Sequence, residues 1–98
     1  MLVSAAVKFQ FRDGTELMLC GARHPNCYEL FKNIKQLSSS IKNKEVATTV
    51  DGFIDEWNIF YDRYEAFEKA KEWNQLSTTT LVAKRDNLEN ELYSEDLY

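Results

Sequence analysis

The chain has 98 residues, enough for one small domain. Apolar residues at 44% and charged residues at 29% are ordinary for a globular chain. Three Gly and one Pro exclude collagen-like and Pro-rich architectures, and no apolar run approaches the ~18 residues that cross a bilayer. The net charge is -4, and its imbalance is local. From Asp86 onward there are five acids and no base, while residues 1–85 carry twelve bases and eleven acids. A duplex-nucleic-acid binder would show a basic face or a high pI, and neither is evident. Lys32, Lys35, Lys42 and Lys44 form the one basic segment; it reads either as a phosphate contact or as a solvated helix face and loop.

Met1-Leu2-Val3-Ser4 lacks the cationic leader of a secretory signal, so a reducing cytoplasm and free thiols are expected for Cys20 and Cys27. Their spacing of seven fits neither a zinc knuckle nor a redox pair. One histidine, His24, leaves a structural zinc site without its usual four ligands, and no metal or cofactor is expected.

Val3 to Phe11 alternates: Ala5, Val7, Phe9 and Phe11 point one way, Lys8 and Gln10 the other, which is the period of a half-buried strand. Asp13-Gly14 is a tight-turn dipeptide, and Thr15 to Cys20 returns with Leu17 and Leu19 on one face. Pro25 suits a first helical turn. Cys27, Leu30, Phe31, Ile34 and Leu37 then form one helical stripe, predicting a helix from about Pro25 to Gln36 and a loop through the serines to Lys44. Val46 to Ile54 is rich in β-branched residues and predicts a strand. Asp55 to Asn58 is a turn, and Ile59-Phe60-Tyr61 returns. Asp62 and Glu65 have capping-box spacing, opening a helix with Ala66, Phe67, Ala70 and Trp73 on its apolar face and an end near Gln75. Leu81-Val82 is expected to be extended, and residues 84–91 to form a helical turn or two. The expected fold is α+β: a single domain, residues 1–98, with a small antiparallel sheet built from two hairpins, two helices packed on one face, and a docked tail, 92–98.

No nucleophile–base–acid set and no Gly-rich phosphate loop is visible, so catalysis is not expected. Two places suit an anion. Arg23-His24 precedes a helix, where free N–H groups and the positive dipole end favour phosphate; alternatively, Arg23 pairs with an acid and His24 caps the helix. Arg63 lies in the first turn of the second helix, where a cation opposes the dipole; it serves a ligand, or it pairs with Glu65 or an acid of the tail. Asp62 is most simply the cap. The tail Tyr93-Ser94-Glu95-Asp96-Leu97-Tyr98 is a third candidate, able to meet ribose hydroxyls, adenine amines or an arginine. Thirteen aromatics exceed what one small core needs, so some lie half-exposed or line an interface or pocket.

Three blocks occur in order: Gly21-Ala22-Arg23-His24 before a Cys-containing helix; Gly52-Phe53-Ile54 with Phe60-Tyr61-Asp62-Arg63-Tyr64-Glu65-Ala66; and Leu92-Tyr93-Ser94-Glu95-Asp96-Leu97. Together they resemble the first-described Thoeris anti-defence family, small phage proteins that act as sponges. The tail hexapeptide is the most specific of the three. The resemblance implies a non-enzymatic protein in the cytoplasm of an infected bacterium. It would bind cyclic ADP-ribose isomers made by TIR-domain enzymes, and in some members cyclic oligonucleotides, as a dimer or hexamer with pockets between chains. By the same resemblance, Arg23 and Arg63 contact phosphate, with His24 beside them. Phe53 stacks on adenine, and Asp62 with Tyr93, Ser94 and Asp96 serves ribose or base edges or positions the arginines. The Ser/Lys-rich connection 36–49 and the segment 76–90 depart from the family pattern, which bears on ligand preference and oligomer size. The competing expectations are a small phage inhibitor that binds a host protein directly, and a hydrolase of the signal.

Overall fold

The computed structural model describes residues 1–97; Tyr98, the end of the expected docked tail, lies outside the described residues. The protein is α+β, a four-stranded antiparallel sheet covered by helices. Strands β1 (Leu2–Phe11) and β2 (Glu16–Gly21) form the first hairpin. Its turn works because Gly14 takes φ +89°, a conformation glycine adopts without steric cost. Strands β3 (Val46–Asp55) and β4 (Phe60–Asp62) form the second. The hairpins join through β1 and β3, giving the order β2-β1-β3-β4.

The alternation along β1 decides which face is covered. Ala5, Val7, Phe9 and Phe11 are all buried on the helix side. Ala5 and Phe53 meet Ala66, Phe67 and Ala70 of α3 (Arg63–Glu72). Val7 and Phe9 meet Cys27, Phe31 and Ile34 of α1 (His24–Leu37). Both helices therefore sit on one face, over two adjoining apolar clusters. Phe9 stacks on Phe31 with centroids 4.2 Å apart. Cys27 is buried there as a free thiol, and burial raises its pKa to about 11.

The structure corrects several expectations. On α1 His24 and Cys27 are buried and Phe31 and Ile34 half-buried against the sheet, whereas Leu30 and Leu37 are exposed, so the covered stripe is narrower than expected. The serine stretch holds a one-turn helix, α2 (Ser39–Lys42), and not only a loop. Leu81-Val82 is helical: α4 (Thr78–Asp86) starts where Ser77 Oγ accepts the Thr80 N–H at 3.1 Å. That cap satisfies a free donor of the first turn and outweighs the β preference of three threonines. Helix α3 ends at Glu72, with Asn74 at φ 55° beyond it. Asp62 Oδ1 accepts the Glu65 N–H at 2.8 Å and Glu65 Oε1 accepts the Asp62 N–H at 3.3 Å, the reciprocal cap its spacing predicts. Among the described residues no helix is long and apolar enough to cross a membrane.

Candidate functional site

A cleft of about 330 Å³ opens where α1, β3 and the start of α3 meet the chain before the tail. The reciprocal cap fixes the first turn of α3 and so fixes Asp62 and Arg63 at its rim. Arg63 Nη2 pairs with Asp51 Oδ2 at 3.3 Å, and its guanidinium carbon lies 4.9 Å from the centre of the Tyr93 ring. Arg63 Nε is buried and has no hydrogen-bond partner. Asp51 sits on β3 between Thr49 and Phe53, on the helix side, and accepts the Tyr28 hydroxyl at 2.6 Å. The Tyr28 phenol is pushed up, first by burial and then by that bond to Asp51. Across the cleft Glu91 accepts the Tyr93 hydroxyl at 2.9 Å. Hydrogen bonds from Tyr64 and then Tyr93 hold the Glu91 carboxyl below its ordinary range and raise both phenols. The walls thus carry three carboxylates, Asp51, Asp62 and Glu91, two tyrosines, Tyr28 and Tyr64, and one arginine.

The tail folds beneath this cleft around a buried lysine. Lys84 of α4 is 4% exposed. Its Nζ donates to the Glu91 carbonyl at 2.9 Å, pairs with Asp96 Oδ2 at 2.9 Å, and lies over the rings of Phe67 and Tyr93. Asp96 Oδ2 also accepts the Tyr93 N–H at 2.9 Å, closing a 3-10 turn over Ser94–Asp96. Leu92 is fully buried, and its N–H donates to the Arg63 carbonyl at 2.9 Å. Residues 92–97 are therefore docked, by apolar burial as well as by charge.

The residues singled out in the sequence divide into three groups. Asp62 and Arg63 line the cleft, and Tyr93 lies beneath the Arg63 guanidinium. Arg23 is exposed at the N-terminus of α1 and approaches Glu95 of the tail at 4.0 Å. Ser94 and Asp96 build the tail turn, and Asp96 is engaged by Lys84 and not by an arginine. His24 and Phe53 belong to the interior. His24 Nε2 is 2.8 Å from the Gly52 carbonyl oxygen, and its ring meets Phe53 edge-on at 5.1 Å. Phe53 is 0% exposed among Leu2, Ala5 and Ala66, so in this chain it offers no ring face to a base. The partner of Arg63 is Asp51, and neither Glu65 nor a tail acid. Sequence reading missed Tyr28, Asp51, Tyr64, Glu91 and Lys84. Asp51 had a signal: an acid between Thr49 and Phe53 at alternate positions of a strand has to find a partner on the covered side.

Among the described residues no group of three or more His, Cys, Asp and Glu is arranged to hold a metal ion. A family described as phage T4 y16D protein matches residues 1–98, the whole chain. The chain belongs to this phage protein family. No curated protein and no solved structure matches it. For the y16D-family chain, then, the cleft around Arg63 carries the functional reading by its own chemistry.

Proposed function

We propose that this phage-family protein is a binding protein that captures a cyclic ADP-ribose isomer in the Arg63 cleft and holds it intact, keeping it from the Thoeris effector of the infected bacterium. The observation that carries the reading is Arg63 itself: a guanidinium whose Nε is buried without an acceptor, at the wall of a cleft lined by tyrosines and carboxylates. A buried unpaired donor costs about 1–3 kcal/mol, which a ligand oxygen reaching it would recover. A phosphate oxygen is such an acceptor, with charge assistance. The three carboxylates accept hydrogen bonds from hydroxyl groups, and two riboses supply such donors. Tyr28 and Tyr64, both exposed, offer aromatic surface to a purine.

The same composition sets the selectivity. Three acids beside one arginine repel a bare phosphate, so hydroxyl donors have to accompany the anion. Cyclic oligonucleotides share those donors and belong to the same ligand class. Sequestration at nanomolar strength requires ~12 kcal/mol of binding free energy. A trap needs no turnover, and the reading includes no catalytic residue.

The test is retention. The protein is incubated with each cyclic ADP-ribose isomer, freed of unbound ligand by filtration and heat-denatured, and the released material is analysed. Intact ligand is expected; altered ligand points to an enzyme. The second reading, direct binding of a host defence protein, is favoured by the acid excess of the cleft and of the segment Glu89, Glu91 and Glu95. Absence of any retained nucleotide selects it and overturns the first.

A further inference from the structure

Arg63 meets only half of what its shape allows. A guanidinium offers its Nε–H and one Nη2–H side by side along one edge, spaced to take two oxygens of a single carboxylate or phosphate. Here Asp51 Oδ2 stands 3.3 Å from Nη2, while the buried Nε on the same edge has no acceptor. The oxygen of Asp51 that would complete the fork is engaged elsewhere: Oδ1 accepts the Tyr28 hydroxyl at 2.6 Å. Tyr28 is itself fixed on α1, its ring edge-on to Phe9 with centroids 5.6 Å apart. The carboxylate is therefore held from α1 and does not cover both nitrogens while it keeps that bond. The guanidinium is backed by the Tyr93 ring, 4.9 Å from its carbon, so the half-filled edge stays in place.

A phosphate can do what Asp51 does not, taking Nε and Nη2 together with two of its oxygens. To do so it displaces Asp51 Oδ2 from Nη2 and brings its own charge beside that carboxylate. Arg63 loses no hydrogen bond in the exchange, since two acceptors replace one. The displaced carboxylate keeps the Tyr28 hydroxyl and is not left bare. The other two acids of the cleft do not compete for the arginine. Asp62 caps α3 through the Glu65 N–H, and Glu91 accepts the Tyr93 hydroxyl.

We infer that Asp51 is the specificity-determining residue of the cleft: a built-in competitor that occupies half of the Arg63 fork and yields it only to a phosphate whose further contacts outweigh the repulsion. Tyr28 is the positioning residue that keeps Asp51 from taking the whole fork. The inference rests on the reading of the Arg63 cleft as an anion site. It gives that site a means of refusing free phosphate while admitting a phosphate that carries hydroxyl donors.

Nuclear magnetic resonance of the Arg63 Nε–H in the full chain, titrated with inorganic pyrophosphate, tests this beside the nucleotide-retention assay. Asp51→Asn keeps the shape and removes the competing charge, and its pyrophosphate affinity is expected to rise at least ~10-fold over the wild type. Tyr28→Phe changes no charge but frees Oδ1 to complete the fork. Its Nε–H signal is expected to move downfield in the free protein, and its pyrophosphate affinity to fall at least ~3-fold. Opposite signs in the two variants are what a merely structural role would not produce. An Asp51→Asn chain that binds pyrophosphate no more tightly than the wild type overturns the inference. So does a Tyr28→Phe chain whose Nε–H signal stays where it is, and this variant decides the matter if Asp51→Asn fails to fold. Either result with nucleotide still retained by the wild type overturns this inference alone. A wild type that retains no nucleotide, with both variants behaving as expected, overturns the ligand reading and supports the role of Asp51.

Discussion

Replacing Lys84 by methionine tests whether the tail is fastened by one buried charge. Methionine preserves most of the apolar stem against Phe67 and Tyr93 and removes the ammonium. Two acceptors lose their donor: the Glu91 carbonyl at 2.9 Å and Asp96 Oδ2 at 2.9 Å. Breaking a buried ion pair by deleting one partner costs about 3–5 kcal/mol. Asp96 keeps the Tyr93 N–H and a side-chain exposure of 15%, so water recovers part of that loss. The expected cost of Lys84→Met is therefore about 2–3 kcal/mol. For a domain of this size that lowers the melting temperature by about 8–15 °C. Thermal and urea melts followed by circular dichroism measure it. Combining Lys84→Met with Asp96→Asn should cost less than the sum of the single changes, with a coupling of about 1 kcal/mol or more. A Lys84→Met protein that melts within about 2 °C of the wild type would refute the reasoning, because the tail would then be held by its contacts other than the lysine.

Arg63→Ala is expected to abolish nucleotide retention in the filtration assay while the melt stays cooperative; unchanged retention removes the cleft from the functional reading. His24→Phe should lower stability by about 1–3 kcal/mol through the lost bond to the Gly52 carbonyl and leave retention unchanged, which separates an interior histidine from a ligand contact. Gly52→Ala should cost about 2–4 kcal/mol, because its new Cβ would lie 2.6 Å from Phe60 Cζ and against the Tyr61 carbonyl, forcing β4 off β3; an unshifted urea midpoint contradicts this. Asp13 gives an acid-side signature. Hydrogen bonds from Thr15, side chain then backbone, together with Lys44, lower its pKa to about 2. The unfolded chain, with an ordinary value of ~3.9, binds the proton first as pH falls, so this contribution is complete above about pH 4 and lost by about pH 2. Asp13→Asn should flatten the melting temperature against pH in that window, and identical slopes would disprove the assignment.

Local chemistry was legible in the sequence wherever neighbours along the chain settled it. Asp13-Gly14 turns the first hairpin, Asp62 and Glu65 cap α3, and Ala5, Val7, Phe9 and Phe11 of β1 are buried. What was not legible depends on contacts between distant segments. The stripe that included Leu30 and Leu37 is a correct helix period, but periodicity along one helix does not say which of its residues another element covers. The threonines before Leu81 favour a strand until Ser77 supplies a cap. At the site, Arg63 and Asp62 stood out by position in a helix turn, whereas Tyr28, Asp51 and Glu91 acquire a role only when three segments meet. Nothing in the sequence singles out Lys84; only the fold reveals the carbonyl, carboxylate and two rings that enclose it. Phe53 failed for the opposite reason, since an aromatic beside a glycine looks the same in sequence whether its ring is walled in or open.

The placement of β1 at the centre of the sheet has a consequence for how the protein is made. Its partner on one side, β2, follows after a short turn and is available almost at once during synthesis. Its partner on the other side is β3, paired from Phe11 with Val46 to Leu2 with Asp55, and emerges from the ribosome only much later. Until then the most apolar strand of the chain has one bare hydrogen-bonding edge, and a lone hairpin is marginal in water. Nascent chains crowded on one messenger would meet through that edge before each could close on itself. Helix α1, made between the two partners, lays Cys27, Phe31 and Ile34 over Val7 and Phe9, and so shelters the face of the waiting strand even while its edge stays open.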